Sequence, residues 1–380
     1  MRLSSVRIES VGTAIGDEVW TSTEIEQQLA PVYEKLNLSE GRLELMTGVR
    51  ERRFFPRGTR PSEIARQAGA AALAGVSEEI RARIGALLHS SVCRDFAEPA
   101  TASVVHAGLG LPERAMIFDL SNACLGFVNA ITVVGAMIEA RQIDAALIVS
   151  GEDGRELVES TIRVMRDDPE RATRRQLKRY FPSLTIGSAG VAMLLVHESL
   201  ASDPARGRVE AGAVRTASQH HELCQGSHAG DGTTLMETDA EALLLAGVEL
   251  AAETWADLRA EMGWSTDYQP PKLIGHQVGR AHRRAVFERL GFRTAVATAA
   301  SLNPAAASAA PEGSSAPVEP DEPGSVAEFS TFEWLGNVGS AAAPITLIRA
   351  AEEGFLEAED PVLLLGIGSG VTCQMLALTW

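Results

Sequence analysis

The sequence predicts an α/β fold, and three observations carry that expectation. Short apolar runs such as residues 145–149 and 362–365 have the length and composition of buried strands. Long alanine-rich runs, above all residues 125–140, have the length of buried helices and follow such strands closely. Hydrophobic residues make up 45% of the 380, enough for a large core in more than one layer. No uninterrupted apolar run approaches the roughly 18 residues of a membrane span.

Charge and cysteine usage narrow the class further. The formal net charge is −16, so the chain as a whole is not expected to bind nucleic acid. Cys93, Cys124, Cys224 and Cys373 form no CxxC pair and no short disulfide framework, which points to a reducing compartment. The stretch from Met1 to Glu9 has no sustained apolar core. No signal peptide is therefore expected, and the cytoplasm is the expected location.

Along the chain, residues 6–14 read as a first strand. Thr21 or Ser22 is placed to cap a helix from Glu24 towards Lys35, kinked or restarted at Pro31. Gly48 breaks the next segment, and Arg50, Arg52 and Arg53 then precede Phe54, a cluster that suits phosphate groups or a solvated loop. Residues 61–74 read as a helix with small residues on its packing face. The polar segment 91–101 carries Glu98 just before Pro99, at the entrance to a helix that closes at Gly110. Glu98 there has the position of a helix cap.

Residues 117–140 read as a buried strand, a tight turn and a buried helix, with Cys124 at the first helical turn. Unpaired backbone N–H groups and the helix field at such a place stabilise a thiolate. Cys124 is thus a candidate nucleophile, although the same residue serves equally as a small apolar packing group.

Residues 145–149 form another strand and end in Gly151-Glu152. Arg171, Arg174, Arg175, Lys178 and Arg179 form the densest positive patch, suited to a pantetheine-linked nucleotide, an acidic carrier protein or water. Residues 187–196 read as a small-residue turn feeding a strand. His220, His221, Cys224 and His228 are close in sequence but fit no standard zinc spacing, and no metal is expected. A helix opens after Thr238-Asp239 and runs through Glu261. Residues 271–277 read as a strand ending in Gly275-His276, followed by a helix over 281–290. A histidine at the carboxyl end of a buried strand is placed as a catalytic group or as a satisfied core residue.

Residues 299–327 are mostly Ala, Pro, Ser, Gly and Glu and are expected to form a flexible surface insertion. Gly336 and Gly339 then bracket Asn337 ahead of a small-residue helix, a pattern that asks for close backbone approach. The run Gly366-Ile367-Gly368-Ser369-Gly370 follows a buried strand and lacks the lysine of a phosphate-binding P-loop. A last strand reaches Trp380. The two halves look alike in outline, and the expected division is 1–200 and 201–380.

Cys124, His276 and Asn337, each in its own local motif, resemble the Cys-His-Asn set of the thiolase superfamily, within it the ketoacyl synthase III group. The resemblance extends over nearly the whole chain. It includes Thr47-Gly48-Val49-Arg50-Glu51-Arg52, Asn122-Ala123-Cys124, Gly275-His276-Gln277, Gly336-Asn337 and the terminal Gly366–Gly370 turn. The histidine motif reads His276-Gln277-Val278-Gly279, where fatty-acid priming synthases usually have His-Gln-Ala-Asn. The segments Arg94–Ala100, Asp119–Gly126 and Thr238–Ala242 are instead similar to the acyl-CoA condensing enzymes that open bacterial long-chain olefin synthesis.

That resemblance implies a thiolase-like fold of duplicated, layered halves and a cytoplasmic homodimer with no tightly bound cofactor. It implies fatty acyl-CoA as substrate, with an acyl carrier protein or downstream lipid-pathway enzymes as further partners. Cys124 would carry the acyl chain, and His276 and Asn337 would bind the second thioester. The backbone N–H groups of Cys124 and Ser369 would stabilise the oxyanion. Glu98, reaching the active site of the partner subunit, would be the base of a non-decarboxylative Claisen condensation. Two alternatives are a decarboxylative 3-oxoacyl-carrier-protein synthase III using malonyl carrier protein and a catalytically silent ketosynthase-like subunit.

Overall fold

The computed structural model describes the chain except residues 203–206, 229–233, 277–278 and 299–324. Its strands are β1 (Val6–Ile15), β2 (Glu18–Thr21), β3 (Glu51–Phe54), β4 (Ile84–His89), β5 (Met116–Asp119), β6 (Ala145–Glu152), β7 (Ala189–His197), β8 (Arg208–Thr216), β9 (Cys224–His228), β10 (Thr234–Thr238), β11 (Lys272–Gly275), β12 (Thr294–Thr298), β13 (Val326–Ser330), β14 (Pro361–Gly368) and β15 (Thr372–Thr379).

Two sheets with the same pairing logic make up the frame. The first runs β1-β7-β6-β4-β5 and the second β8-β15-β14-β11-β13-β12. In each, the first two pairings are antiparallel and the next two parallel. The sheets join through Arg7↔Arg208, between β1 and β8. The duplication that the sequence only hints at is therefore explicit in the strand order.

Each sheet is buried on both faces, which is why β6, β7 and β15 read as apolar runs without alternation. Helices Gly126–Glu139 and Ala342–Glu352 form the central layer. Phe127, Ile131, Val134, Ala342, Ile345 and Leu347 pack there against Ile8, Leu88, Ile274 and Leu364. Helix Pro61–Leu73 covers the outer face of the first sheet with Ile64, Ala65, Ala68 and Ala72. Helix Ala240–Met262 covers the second with Leu250, Ala251, Trp255 and Leu258. The result is a five-layered α-β-α-β-α arrangement.

Several local expectations hold. Thr21 caps helix Ser22–Gln28 in a capping box with Glu24, and a second helix, Ala30–Lys35, restarts with Pro31 in its first turn. Gly110 closes helix Thr101–Leu109 at φ +59°. Three expectations need correction. Val326 and Ala327 are not part of a surface insertion: they open β13, pairing between β11 and β12. The rest of that stretch, 299–324, lies outside the described residues. Arg52 and Arg53 are neither solvated nor open to phosphate. They are buried in β3, where Arg52 donates to the carbonyls of Trp20 and Leu184 and Arg53 pairs with Glu51. The third correction concerns the Cys124 thiol and belongs to the site.

Candidate active site

Every candidate in the Cys-His-Asn set stands just beyond the carboxyl end of a parallel strand. Cys124 follows β5, His276 follows β11 and Asn337 follows β13. Cys124 and Asn337 occupy corresponding places in the two sheets, each leading into one of the two central helices. Parallel strands place their carboxyl ends together, and both central helices start there.

Asn337 sits in a turn that only small neighbours permit. Its N–H donates to the Thr185 carbonyl (2.9 Å) and its own carbonyl accepts from Gly187 N–H (3.0 Å). Gly336, at φ +64°, lies so close to the Thr185 carbonyl that a β-carbon would overlap it. The side-chain Oδ1 of Asn337 accepts from Gly339 N–H at 3.0 Å. That leaves the amide nitrogen free to donate, and the Asn337 side chain acts to lower the Cys124 thiol.

Cys124 stands one residue ahead of Leu125, the N-cap of helix Gly126–Glu139, so it is outside the first helical turn. Its thiol is not poised as a thiolate. Burial pushes it up to about 12, the Glu152 carboxylate and the Cys224 side chain add to the rise, and the backbone N–H of Cys124 and the Asn337 side chain oppose them without prevailing. The helix-field expectation is overturned because desolvation outweighs a terminus that starts one residue too late.

His276 is buried, and its N–H donates to Leu365 in β14 at 2.7 Å. Burial pushes its imidazole down to about 4, so the ring is neutral at pH 7. Among the described residues its Nδ1 has no hydrogen-bond partner. One strand position further, Gly366 makes room for the Leu125 side chain, and Gly368 packs on the same residue. Hence β14 touches both the main chain of His276 and the neighbour of Cys124, and Ser369 follows directly at its end.

Glu98 is exposed on the loop between β4 and helix Thr101–Leu109. Asp119 anchors the far side of that loop by accepting from Thr101 and Ala102 N–H groups at 2.8 and 2.9 Å. Burial alone would raise the Asp119 carboxyl, but the His89 ring 3.6 Å away and these two N–H groups hold it at about 2.

Sequence reasoning missed Asp119 and Glu152. Glu152, 3% exposed, ends β6 and accepts from Val92 and Ser340 N–H groups at 2.9 and 3.0 Å and from Cys93 N–H at 3.2 Å. A polar residue closing an apolar strand is the available signal, as it is for His276. The basic patch is largely engaged: Arg171 pairs with Asp168, Lys178 with Glu241 and Arg179 with Glu237, while Arg174 donates to the Leu36 carbonyl. His220 is half-buried and His221 exposed, the side chain of His228 lies outside the described residues, and Cys224 sulfur accepts from Thr238. Among the described residues no group of three or more metal-ligating side chains is assembled.

Known proteins place this geometry. The model of 3-oxoacyl-[acyl-carrier-protein] synthase III matches residues 118–165, around Cys124, and that of its C-terminal part matches 325–380, around Asn337. The acyl-CoA:acyl-CoA alkyltransferase of Shewanella oneidensis is 36% identical over the full length of both chains. The chain belongs to the acyl-CoA:acyl-CoA alkyltransferase family. The family member of Xanthomonas campestris is 30% identical, again over the full length of both chains. A crystal structure of that protein, OleA, with bound lauric acid and lauroyl-CoA covers 100% of both chains with a TM-score of 0.83. Crystal structures of the Xanthomonas alkyltransferase include variants of one cysteine, one glutamate and one histidine. The fold is thiolase-like, as in these structures.

Proposed function

We propose that the protein joins two fatty acyl-CoA thioesters by non-decarboxylative Claisen condensation, through an acyl-Cys124 intermediate. The observation that carries the reading is the placement of Cys124 and Asn337 at corresponding points ahead of the two central helices, with the Asn337 amide nitrogen left as the free donor, in a member of this family.

In the first step the Cys124 thiol gives its proton to the neutral imidazole of His276 as sulfur attacks the acyl carbonyl. The C–S bond to CoA breaks, and the proton leaves on the CoA thiol. With the thiol held near 12, little thiolate is present at rest, so proton transfer to His276 accompanies the attack. N–H groups of Cys124 and Ser369 receive the developing oxyanion.

In the second step a base removes a proton from the α-carbon of a second acyl-CoA. His276 and Asn337 donate to the thioester oxygen of the resulting enolate. The enolate carbon attacks the acyl-Cys124 carbonyl, the Cys124 C–S bond breaks, the released sulfur takes back the proton that the base removed, and a β-ketoacyl thioester results; hydrolysis would convert it to a β-keto acid. Glu98 of the partner subunit is the proposed base. Its match is supported by spacing: the glutamate and cysteine varied in the Xanthomonas protein are 26 positions apart, as Glu98 and Cys124 are.

A homodimer follows from the same reading. β5 is the outermost strand of the first sheet. Around it Val92, Phe96, Val104 and Met116 are 37–55% exposed, an apolar rim that a second copy would cover. The proposed site needs no tightly bound cofactor. We place the enzyme in the cytoplasm; among the described residues no helix is long and apolar enough to cross a membrane.

Intact-mass analysis tests the intermediate. Incubation with lauroyl-CoA should add one lauroyl group at Cys124, and a chase with a labelled second acyl-CoA should discharge it into a condensed product. A chain that never acquires the acyl mass would instead be a silent subunit.

A further inference from the structure

Glu152 is a buried carboxylate with no cationic partner among the described residues, and its three backbone donors come from both halves of the chain. Oε1 accepts from Val92 N–H (2.9 Å) and from Ser340 N–H (3.0 Å), and Oε2 accepts from Cys93 N–H (3.2 Å). Val92 and Cys93 open the loop that carries Glu98. Ser340 lies three residues beyond Asn337, in the turn that fixes the Asn337 amide. The two segments also meet directly, since the Ser340 hydroxyl donates to the Ser90 carbonyl at 2.5 Å and lies 3.0 Å from the Ser150 hydroxyl. Gly339, at φ +57°, leaves the space that Glu152 fills: a β-carbon there would fall 2.7 Å from Oε1.

A buried carboxylate satisfied by three N–H groups is fixed in place, and its charge is uncompensated by any nearby cation. A glutamine of the same shape could not replace it. Its oxygen would serve Val92 and Ser340, but its NH2 would face the Cys93 N–H, donor against donor. The loop towards Glu98 would loosen first.

We propose that Glu152 is a positioning residue that locks the Asn337 turn and the Glu98 loop into one arrangement about Cys124. Its catalytic consequence rests on the condensation reading; the lock itself rests on the hydrogen bonds alone.

The test compares Glu152→Gln and Glu152→Asp with the wild type in three measurements: amide hydrogen exchange over residues 90–100 and 336–341, acylation of Cys124 by lauroyl-CoA, and formation of condensed product. Glu152→Gln should exchange at least tenfold faster over residues 90–100, acylate within about threefold of wild type, and condense at least tenfold more slowly. Glu152→Asp keeps the carboxylate, yet its shorter reach cannot hold both segments, so condensation should be impaired there too. Glu152→Gln exchanging at the wild-type rate in both segments, or Glu152→Asp condensing as well as wild type, would overturn the proposal. The aspartate variant decides the matter if the glutamine variant does not fold. A wild-type enzyme that makes no condensed product, with the exchange contrast intact, would sink the condensation reading and leave the positioning role standing.

Discussion

Gly339 N–H holds the amide oxygen of Asn337 at 3.0 Å, which leaves the amide nitrogen as the side chain's free donor. The amide cannot flip without exchanging an acceptor for a second donor opposite that N–H. That orientation leaves an N–H available for a thioester oxygen.

Asn337→Asp should therefore be worse than Asn337→Ala. The carboxylate removes the donor and adds a negative charge beside a thiol already raised by burial and Glu152. Loss of one fixed donor costs on the order of 10²-fold in rate, and Asn337→Asp should lose still more. The rate of acyl-Cys124 formation, followed by rapid quench and mass analysis, checks both.

Glu98 and Cys124 should complement each other across a dimer. Glu98→Ala alone should acylate normally and fail to condense, and Cys124→Ala alone should do neither. Co-expressed chains forming mixed dimers should recover part of the condensing activity, because one site then has both groups intact. Absence of recovery in purified mixed dimers would count against a base supplied by the partner.

His276 gives the fold a pH dependence of predictable sign. Its folded-state value of about 4 lies below the ordinary histidine value, so the folded chain binds fewer protons than the unfolded chain between about 6.5 and 4. The associated stability is fully present above about pH 6.5 and is lost as pH falls through 4. Relative to His276→Asn, the wild type should lose up to about 3 kcal/mol between pH 7 and pH 4. Urea unfolding at several pH values measures the difference.

Gly336→Ala should destabilise the chain as well as inactivate it. A β-carbon at φ +64° would strain the backbone and meet the Thr185 carbonyl. Together these cost roughly 3 kcal/mol. A drop of several degrees in Tm, accompanied by lost condensation, is the expected outcome, and an unchanged Tm would show that the turn relaxes freely.

The sequence made the frame and the Cys-His-Asn set legible because each site residue follows an apolar strand and is flanked by glycine or small residues. Cys124, His276 and Asn337 announce themselves by that local pattern. Other features depend on contacts between distant segments. Glu152 acts on Val92 and Ser340, which lie 60 and 188 residues away. The state of the Cys124 thiol depends on how deeply it is buried and on charges from β6 and β9, neither of which helix position reveals. Arg52 looked like a surface cation because its partners are backbone carbonyls, which leave no trace in composition. Composition also extended the insertion to 327, two residues into β13, since Val326 and Ala327 are small and apolar in a small-residue stretch.

The most direct test of the central claim supplies purified protein with a long-chain acyl-CoA alone and, in parallel, with the same acyl-CoA plus malonyl carrier protein, and identifies the products by mass. A β-ketoacyl product containing two full acyl chains, formed from acyl-CoA alone, is the expected result. Condensed product appearing only when the malonyl donor is present would contradict it.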